Sequence, residues 1–238
     1  MKTTSFVCYI QVRWGLDLLE IKVLDHGYVK LIDKMGDDCT PAESARLSYA
    51  GSRRGWDEGD GRLTKRLLKD RHTSPFEFNE IVFEIQAPIF IARQMVRHRT
   101  ANWSEFSMRY SDADKLAGDI LIYGPSSWTN DDGVEERPQD GRLAELAFEY
   151  RAHIERSRWL YRQLVENGVA KETARIVLPV STYTRWKWKM DFHNLSHFLK
   201  LRTAMDAQPE MREYANAIKD LTKQVWPRLV EASENVTV

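Results

Sequence analysis

The chain has 238 residues, 42% hydrophobic and 29% charged, the balance of an ordinary soluble globular protein with enough length for one large domain or two small ones. Lys plus Arg and Asp plus Glu both number 35, so formal net charge is zero; a general polyanion binder carries a basic excess, and an anionic ligand must here be met by local clusters. Two cysteines, Cys8 and Cys39, stand outside any C-x-x-C or Cys/His metal pattern, which points to a reducing, cytoplasmic setting rather than a disulfide framework.

No apolar run approaches the roughly 20 residues of a bilayer span, so no membrane partner is expected. The apolar stretch after Lys2 is broken by Gln11, Arg13 and Asp17, unlike a signal peptide. Residues 1–19 alternate weakly around Phe6 to Val12 and read as an N-terminal extension. Ile21 to Ile32 reads as strand, turn at Asp25-His26-Gly27, and strand. Thr40-Pro41-Ala42-Glu43 has capping-box spacing with Pro at the first helical position, opening a helix to about Tyr49. Gly51 to Gly61 reads as a loop. Leu63, Leu67 and Leu68 mark a helix that ends before His72-Thr73-Ser74-Pro75.

Phe78 to Ala87 alternates as a half-buried strand, with Ile81, Phe83 and Ile85 on one face. Pro88 opens a helix through Arg97, on which Arg93, Gln94 and Arg97 share a face. Asn130 to Asp140 is a polar loop. Leu143 to Val165 is a long amphipathic helix, stopped by Asn167-Gly168. Lys171 to Leu178 is a short helix ended by Pro179. Ser181 to Met190 alternates again, Trp186, Trp188 and Met190 opposing Arg185, Lys187 and Lys189. Asp191 is a good N-cap for a helix through about Ala204. Met211, Ala215, Ile218, Leu221 and Val225 mark the last helix, which Pro227 kinks or ends. Strands and helices mix without a βαβα rhythm, so an α+β fold is expected rather than a doubly wound one. No G-x-G-x-x-G or Walker loop occurs.

Arg97-His98-Arg99 concentrates cations at a helix end, where the helix dipole favours them; alone it reads as a solvated helix terminus. The next residues add to it. If residues 104–110 are extended, Glu105, Ser107 and Arg109 share one face and Phe106, Met108 and Tyr110 the other. An acceptor, a hydroxyl and a guanidinium fork in sequence suit a nucleotide, because guanidinium pairs with phosphate in bidentate fashion.

RHR, seven residues, then Ser (Arg97-His98-Arg99 to Ser107) resembles the hallmark of the flavin-dependent thymidylate synthases. Further stretches resemble that family in the same order: His72 to Glu77 (HTSPFE), Ala87 to Arg99 (APIFIARQMVRHR), Ala174 to Pro179 (ARIVLP) and Phe192 to Arg202 (FHNLSHFLKLR). The resemblance covers about residues 20–230 and implies one domain over 20–238, with a twisted antiparallel sheet packed with helices. It implies conversion of dUMP to dTMP, with methylenetetrahydrofolate as one-carbon donor, hydride passing through FAD from NADPH, and tetrahydrofolate released. It also implies a cytoplasmic homotetramer with shared active sites and no nucleic-acid partner. By the same resemblance, Ser74, Arg97, His98, Arg99, Glu105, Asp191, Phe192, His193 and His197 would contact FAD. Gln94, Arg97, Glu105, Phe106, Ser107, Met108, Arg109, Arg175 and Arg202 would line the dUMP site. Arg202, the catalytic candidate, would sit near the uracil N3, where a fixed cation stabilises the ionised imide.

Departures from the commoner family text are local. After Leu201-Arg202 the run is Thr203-Ala204-Met205-Asp206-Ala207-Gln208, without the usual Asp and His. Met108 stands where a small residue is common. Ser107 is tempting as a nucleophile, with Glu105 and His98 as nearby bases; a hydride route through flavin needs no protein nucleophile, so a ligand contact is expected. Neither cysteine falls in a matching block, unlike the thymidylate synthases that use a cysteine nucleophile. Two other classes have some textual support. His193 and His197, four apart, with Asp206 or Glu210, suggest a metal-dependent hydrolase, but no H-E-x-x-H accompanies them and no metal is expected. Tyr183 to Lys189 (YTRWKWK) interleaves aromatics and cations as single-strand binders do; a strand with its tryptophans in the core is the expected reading.

Overall fold

The computed structural model describes residues 19–47, 56–111, 118–129, 135–136 and 141–235. Residues 1–18, the helix end expected at Tyr49, and most of the loop expected over Asn130 to Asp140 lie outside them. The elements are β1 (Glu20–Val23), β2 (Gly27–Met35), α1 (Thr40–Arg46), α2 (Glu58–Lys69), β3 (Glu80–Pro88), α3 (Ile89–Met95), β4 (Asn102–Glu105), β5 (Trp128–Thr129), β6 (Glu135–Glu136), α4 (Gly141–Glu166), α5 (Lys171–Ala174), β7 (Tyr183–Asp191), α6 (Phe192–Arg202), α7 (Pro209–Val225) and α8 (Pro227–Glu234).

Five strands form one antiparallel sheet in the order β1-β2-β3-β7-β4. The α+β expectation holds. Alternation along β3 and β7 decides which face is covered: Ile81, Phe83, Ile85, Trp186, Trp188 and Met190 are all buried, and directly paired residues such as Phe83 and Trp188 point to the same side. Arg185, Lys187 and Lys189 occupy the opposite face, where Lys189 pairs with Glu80 at 2.6 Å. The tryptophans of YTRWKWK are therefore core residues, and no stacking platform is exposed there. Helices α6, α7 and α8 complete this core with Phe198, Tyr214, Leu221, Trp226 and Leu229. A second cluster joins α4 to the segment 118–129 through Ile120, Ile122, Ile154 and Tyr161. Gly168 ends the α4 connection at φ +85°, in the left-handed region that glycine enters without strain.

Four expectations about local structure change. Thr40 does not cap α1. Its hydroxyl accepts from the Asp37 N–H while the Asp37 carboxylate accepts from the Cys39 and Thr40 N–H groups, so the turn before the helix consumes the capping side chain. The capping box is instead made by Asp57 and Asp60 at α2, which begins inside the stretch read as loop. Helix α3 stops at Met95, because Arg97 and His98 bond three residues back, to the Gln94 and Met95 carbonyls, and tighten the chain into a turn. The strand read over 104–110 ends at Glu105. Ser107 Oγ accepts from the Arg109 N–H at 3.3 Å and the Tyr110 N–H bonds to the Ser107 carbonyl, closing a turn of the kind serine favours.

Gly27, at the β1–β2 turn, is clamped. A Cβ there would lie 1.9 Å from Tyr214 Oη, 2.6 Å from the Val23 carbonyl and 2.8 Å from the Gln86 carbonyl. Tyr214 donates its hydroxyl to that same Gln86 carbonyl at 2.9 Å, so neither backbone nor tyrosine can withdraw without loss. Nearby, Trp226 donates to the Gly36 carbonyl at 3.1 Å and Asp38 accepts from the Leu229 N–H at 3.0 Å. Gly27→Ala should lower the urea midpoint by an amount worth about 2 kcal/mol or more; an unchanged midpoint would show that the clamp does not exist.

Candidate functional site

Four side-chain contacts gather residues that are far apart in sequence. Arg202 Nε, at the last turn of α6, donates to His98 Nε2 at 3.1 Å. Gln94 on α3 donates to Gln208 Oε1 at 2.5 Å. Thr184 on β7 donates its hydroxyl to Glu105 at 2.7 Å. Arg109 Nε lies 2.8 Å from Glu172 on α5. The first two contacts tie α3 and the tight turn after it to the end of α6 and the residues before α7; the other two tie the end of β4 to β7 and the 106–111 turn to α5.

His98 is held from below. Its ring meets Phe198 edge-on at 4.9 Å, and Phe198 meets the buried Trp188 in the same way at 4.9 Å. The His197 ring lies 6.3 Å away. Burial first, then the facing Arg202 and His197, push the His98 imidazole down to about 4 from its ordinary 6.5. It is therefore neutral at pH 7, and the proton must sit on Nδ1 because Nε2 receives the Arg202 N–H.

Glu105 is anchored at both carboxylate oxygens, by Thr184 and by Trp103 Nε1 at 3.3 Å. Trp103 in turn stacks on Trp186 at 4.5 Å. The register explains this: Trp103 pairs with Trp188 and Glu105 with Trp186, so Glu105, Thr184 and the tryptophans face the same side. Arg175 follows Glu172 by three residues, on the short 3₁₀ turn after α5. Among the described residues, Arg97, Arg99 and Arg175 have no carboxylate partner.

The expected site residues fall into two groups. Gln94, Arg97, His98, Arg99, Glu105, Phe106, Ser107, Met108, Arg109, Arg175, His197 and Arg202 lie on the segments those contacts join. Ser74, Asp191, Phe192 and His193 lie at the other end of α6, Asp191 to His193 about 14–17 Å from Arg202 at the helical rise per residue. There the turn after Ser74 packs on α6, with Phe76 against Phe192 at 6.2 Å, and the Asp191 carboxylate caps α6 by accepting from the Asn194 N–H at 2.8 Å. Ser107 and Arg109 reach the site from a turn, not from the strand face expected. Thr184, Glu172, Phe198 and Gln208 touch expected site residues; none is expected there from the sequence, although Phe198 falls within the FHNLSHFLKLR stretch. Only Thr184 had a legible signal, sitting two residues from Trp186 on the alternating strand. Among the described residues no group of three or more His, Cys, Asp or Glu side chains could hold a metal, and no helix is long and apolar enough to cross a membrane.

Fold and candidate site define an α+β protein that sets exposed guanidinium groups, a half-buried imidazole and an anchored carboxylate near the RHR turn. A family model described as thymidylate synthase complementing protein matches residues 30–228. A flavin-dependent thymidylate synthase of Thermus thermophilus is 43% identical over 211 residues, covering 88% of this chain and 76% of that one. One of Dictyostelium discoideum is 40% identical, covering 97% and 79%. The crystal structure of a UMP/dUMP methylase from Streptomyces cacaoi bound with 5-Br dUMP superposes with a TM-score of 0.74 at 29% identity, covering 89% of this chain and 96% of that one. The chain belongs to the flavin-dependent thymidylate synthases, methyltransferases of nucleotide biosynthesis.

The depressed His98 value sets a pH dependence. Between pH 6.5 and about 4 the unfolded imidazole binds a proton that the folded one refuses. Stability is therefore highest above this window and falls as pH drops through it. Urea midpoints measured from pH 7 to pH 5 should decline in the wild type and decline less in His98→Phe; parallel slopes would contradict a buried neutral imidazole.

Proposed function

We propose that the protein catalyses reductive methylation of dUMP to dTMP, with methylenetetrahydrofolate as one-carbon donor, NADPH as reductant and FAD as hydride carrier, releasing tetrahydrofolate. The observation that carries this reading is the Arg202–His98 contact, which unites the RHR motif with the distant arginine expected at the nucleotide base. The donor set suits both ligands. Arg97 and Arg99 are exposed guanidinium groups without carboxylate partners among the described residues, as phosphate and pyrophosphate oxygens require.

In this reading Ser74, Asp191, Phe192 and His193 hold the far part of the flavin dinucleotide, and Arg97, His98, Arg99, Glu105 and His197 the near part. Gln94, Arg97, Glu105, Phe106, Ser107, Met108, Arg109 and Arg175 line the nucleotide pocket. Arg202 faces the uracil N3 and stabilises its deprotonated form, since a guanidinium keeps its charge even when half-buried. Ser107 binds rather than attacks: its Oγ is turned to the Arg109 N–H, and it has no base aligned on it in the contacts described.

The assembly read for this enzyme is a homotetramer with sites shared between subunits. Ile176, Val180, Leu201 and Met205 are 75%, 57%, 48% and 84% exposed. Large apolar side chains so exposed beside Arg175 and Arg202 support burial by another copy of the chain.

Purified protein should be yellow, should bleach with NADPH, and should form dTMP and tetrahydrofolate, not dihydrofolate. Stoichiometric zinc without flavin would defeat the proposal. Arg202→Ala should abolish turnover while keeping flavin bound; wild-type turnover in that variant would remove Arg202 from its role at N3.

A further inference from the structure

We infer that His98 is a positioning residue for Arg202: its neutral imidazole accepts the Arg202 Nε–H and thereby aims the guanidinium's terminal nitrogens at the nucleotide base. The inference rests on the Arg202 role proposed above. Three observations lead to it. First, an arginine at a helix C-terminus ordinarily turns to water or to carbonyls of the last turn, where the dipole favours it. Arg202 instead spends its one Nε–H on a ring nitrogen 3.1 Å away, leaving the two Nη groups for a planar, two-point partner. Second, the ring's orientation is set by packing rather than by the arginine. The ring is wedged edge-on against Phe198, which is itself wedged against Trp188 in the core of the sheet. The acceptor is fixed to the scaffold, so the guanidinium plane is fixed with it. Third, the titratable and charged groups facing the ring are Arg202 and His197, both on α6, and with burial they keep the imidazole unprotonated. A protonated ring would donate from both nitrogens and repel Arg202.

This function is additional to the flavin contact proposed for His98 and sets its own requirement on the ring. A histidine that only touched a phosphate would serve best as a cation, whereas this one must be neutral with Nδ1 protonated. It also explains why a residue flanked by two exposed arginines is half-buried: Arg97 and Arg99 point outward, and the residue between them points in.

The test has two arms. In the ligand-free protein, selective ¹⁵N-histidine NMR should show His98 at pH 7 as the Nδ1–H tautomer with an unprotonated Nε2; an Nε2–H tautomer or an imidazolium would overturn the inference without reference to catalysis. In the flavin-loaded enzyme, His98→Phe keeps the ring packing and removes the acceptor, and kcat should fall about 10–100-fold, with a smaller change in KM for dUMP. His98→Gln places an amide oxygen near the former Nε2 and should restore kcat to within about threefold of wild type, as positional rescue would require. Wild-type kcat in His98→Phe, or equal losses in both variants, would overturn the inference. Were His98→Phe not to fold, the tautomer and the glutamine variant would still decide it. A wild-type protein that formed no dTMP would defeat the proposed function and leave the tautomer measurement standing as a separate result.

Discussion

Burial of Trp186 and Trp188 on one face of β7 is the constraint on which the remaining structure turns. The strand pairs with β3 along its whole length and with β4 on its other side, so one residue of slip would carry both indoles into water and Arg185 and Lys187 into the core. The cost of that slip fixes the register. The register then places Trp103 on Trp186 and brings Glu105 beside Thr184. On the same face, Trp188 seats Phe198, Phe198 seats His98, and His98 meets Arg202. Precision at the arginine is thus inherited from the packed interior through a line of rings, rather than supplied by a mobile surface chain.

The electrostatic design follows from the same arrangement. With zero formal net charge, the protein has no global field to draw an anionic nucleotide. Attraction has to be local, and in the proposed reading the guanidinium groups near the RHR turn supply it. Arg109 is the exception, since it faces Glu172. Both partners are about half exposed, so the pair is screened and contributes little to stability. Glu105 accepts from a hydroxyl and an indole, which orient it without neutralising its charge.

Much of the fold was readable from periodicity. Alternation located β3 and β7, Asp191 was identified as the cap of α6, and Asn167-Gly168 as the end of α4. Those signals are local, and the structure keeps them. What misled was competition among neighbours. Thr40 has the spacing of a cap, yet Asp37, three residues earlier, takes the backbone donors first. Glu105 to Tyr110 alternates as a strand, yet a serine hydroxyl bonding to its own turn outweighs two or three further ladder bonds at a sheet edge. Motifs named Arg97 to Arg99 and Arg202 as candidates, and the Arg202–His98 contact is what the structure adds to them. The pairings of Thr184, Phe198 and Gln208 were not legible, because they span 79, 100 and 114 residues of chain respectively, and no local pattern encodes such contacts.

The contacts of the C-terminal helices with β3 and with the segment after β2 bear on how the chain is made. Tyr214 reaches back 128 residues to Gln86, and Trp226 and Leu229 reach back 190 and 191 residues to Gly36 and Asp38. Closures of this length are slow, because most of the intervening chain must be ordered before they form. The strands that lead the sequence therefore emerge from the ribosome well before the helices that cover them exist. During synthesis β2 and β3 would present one uncovered apolar face, the condition under which partly folded chains associate. Helices α7 and α8 act in this sense as the lid of the protein's own assembly, and a chain without them would leave the apolar face of the sheet uncovered.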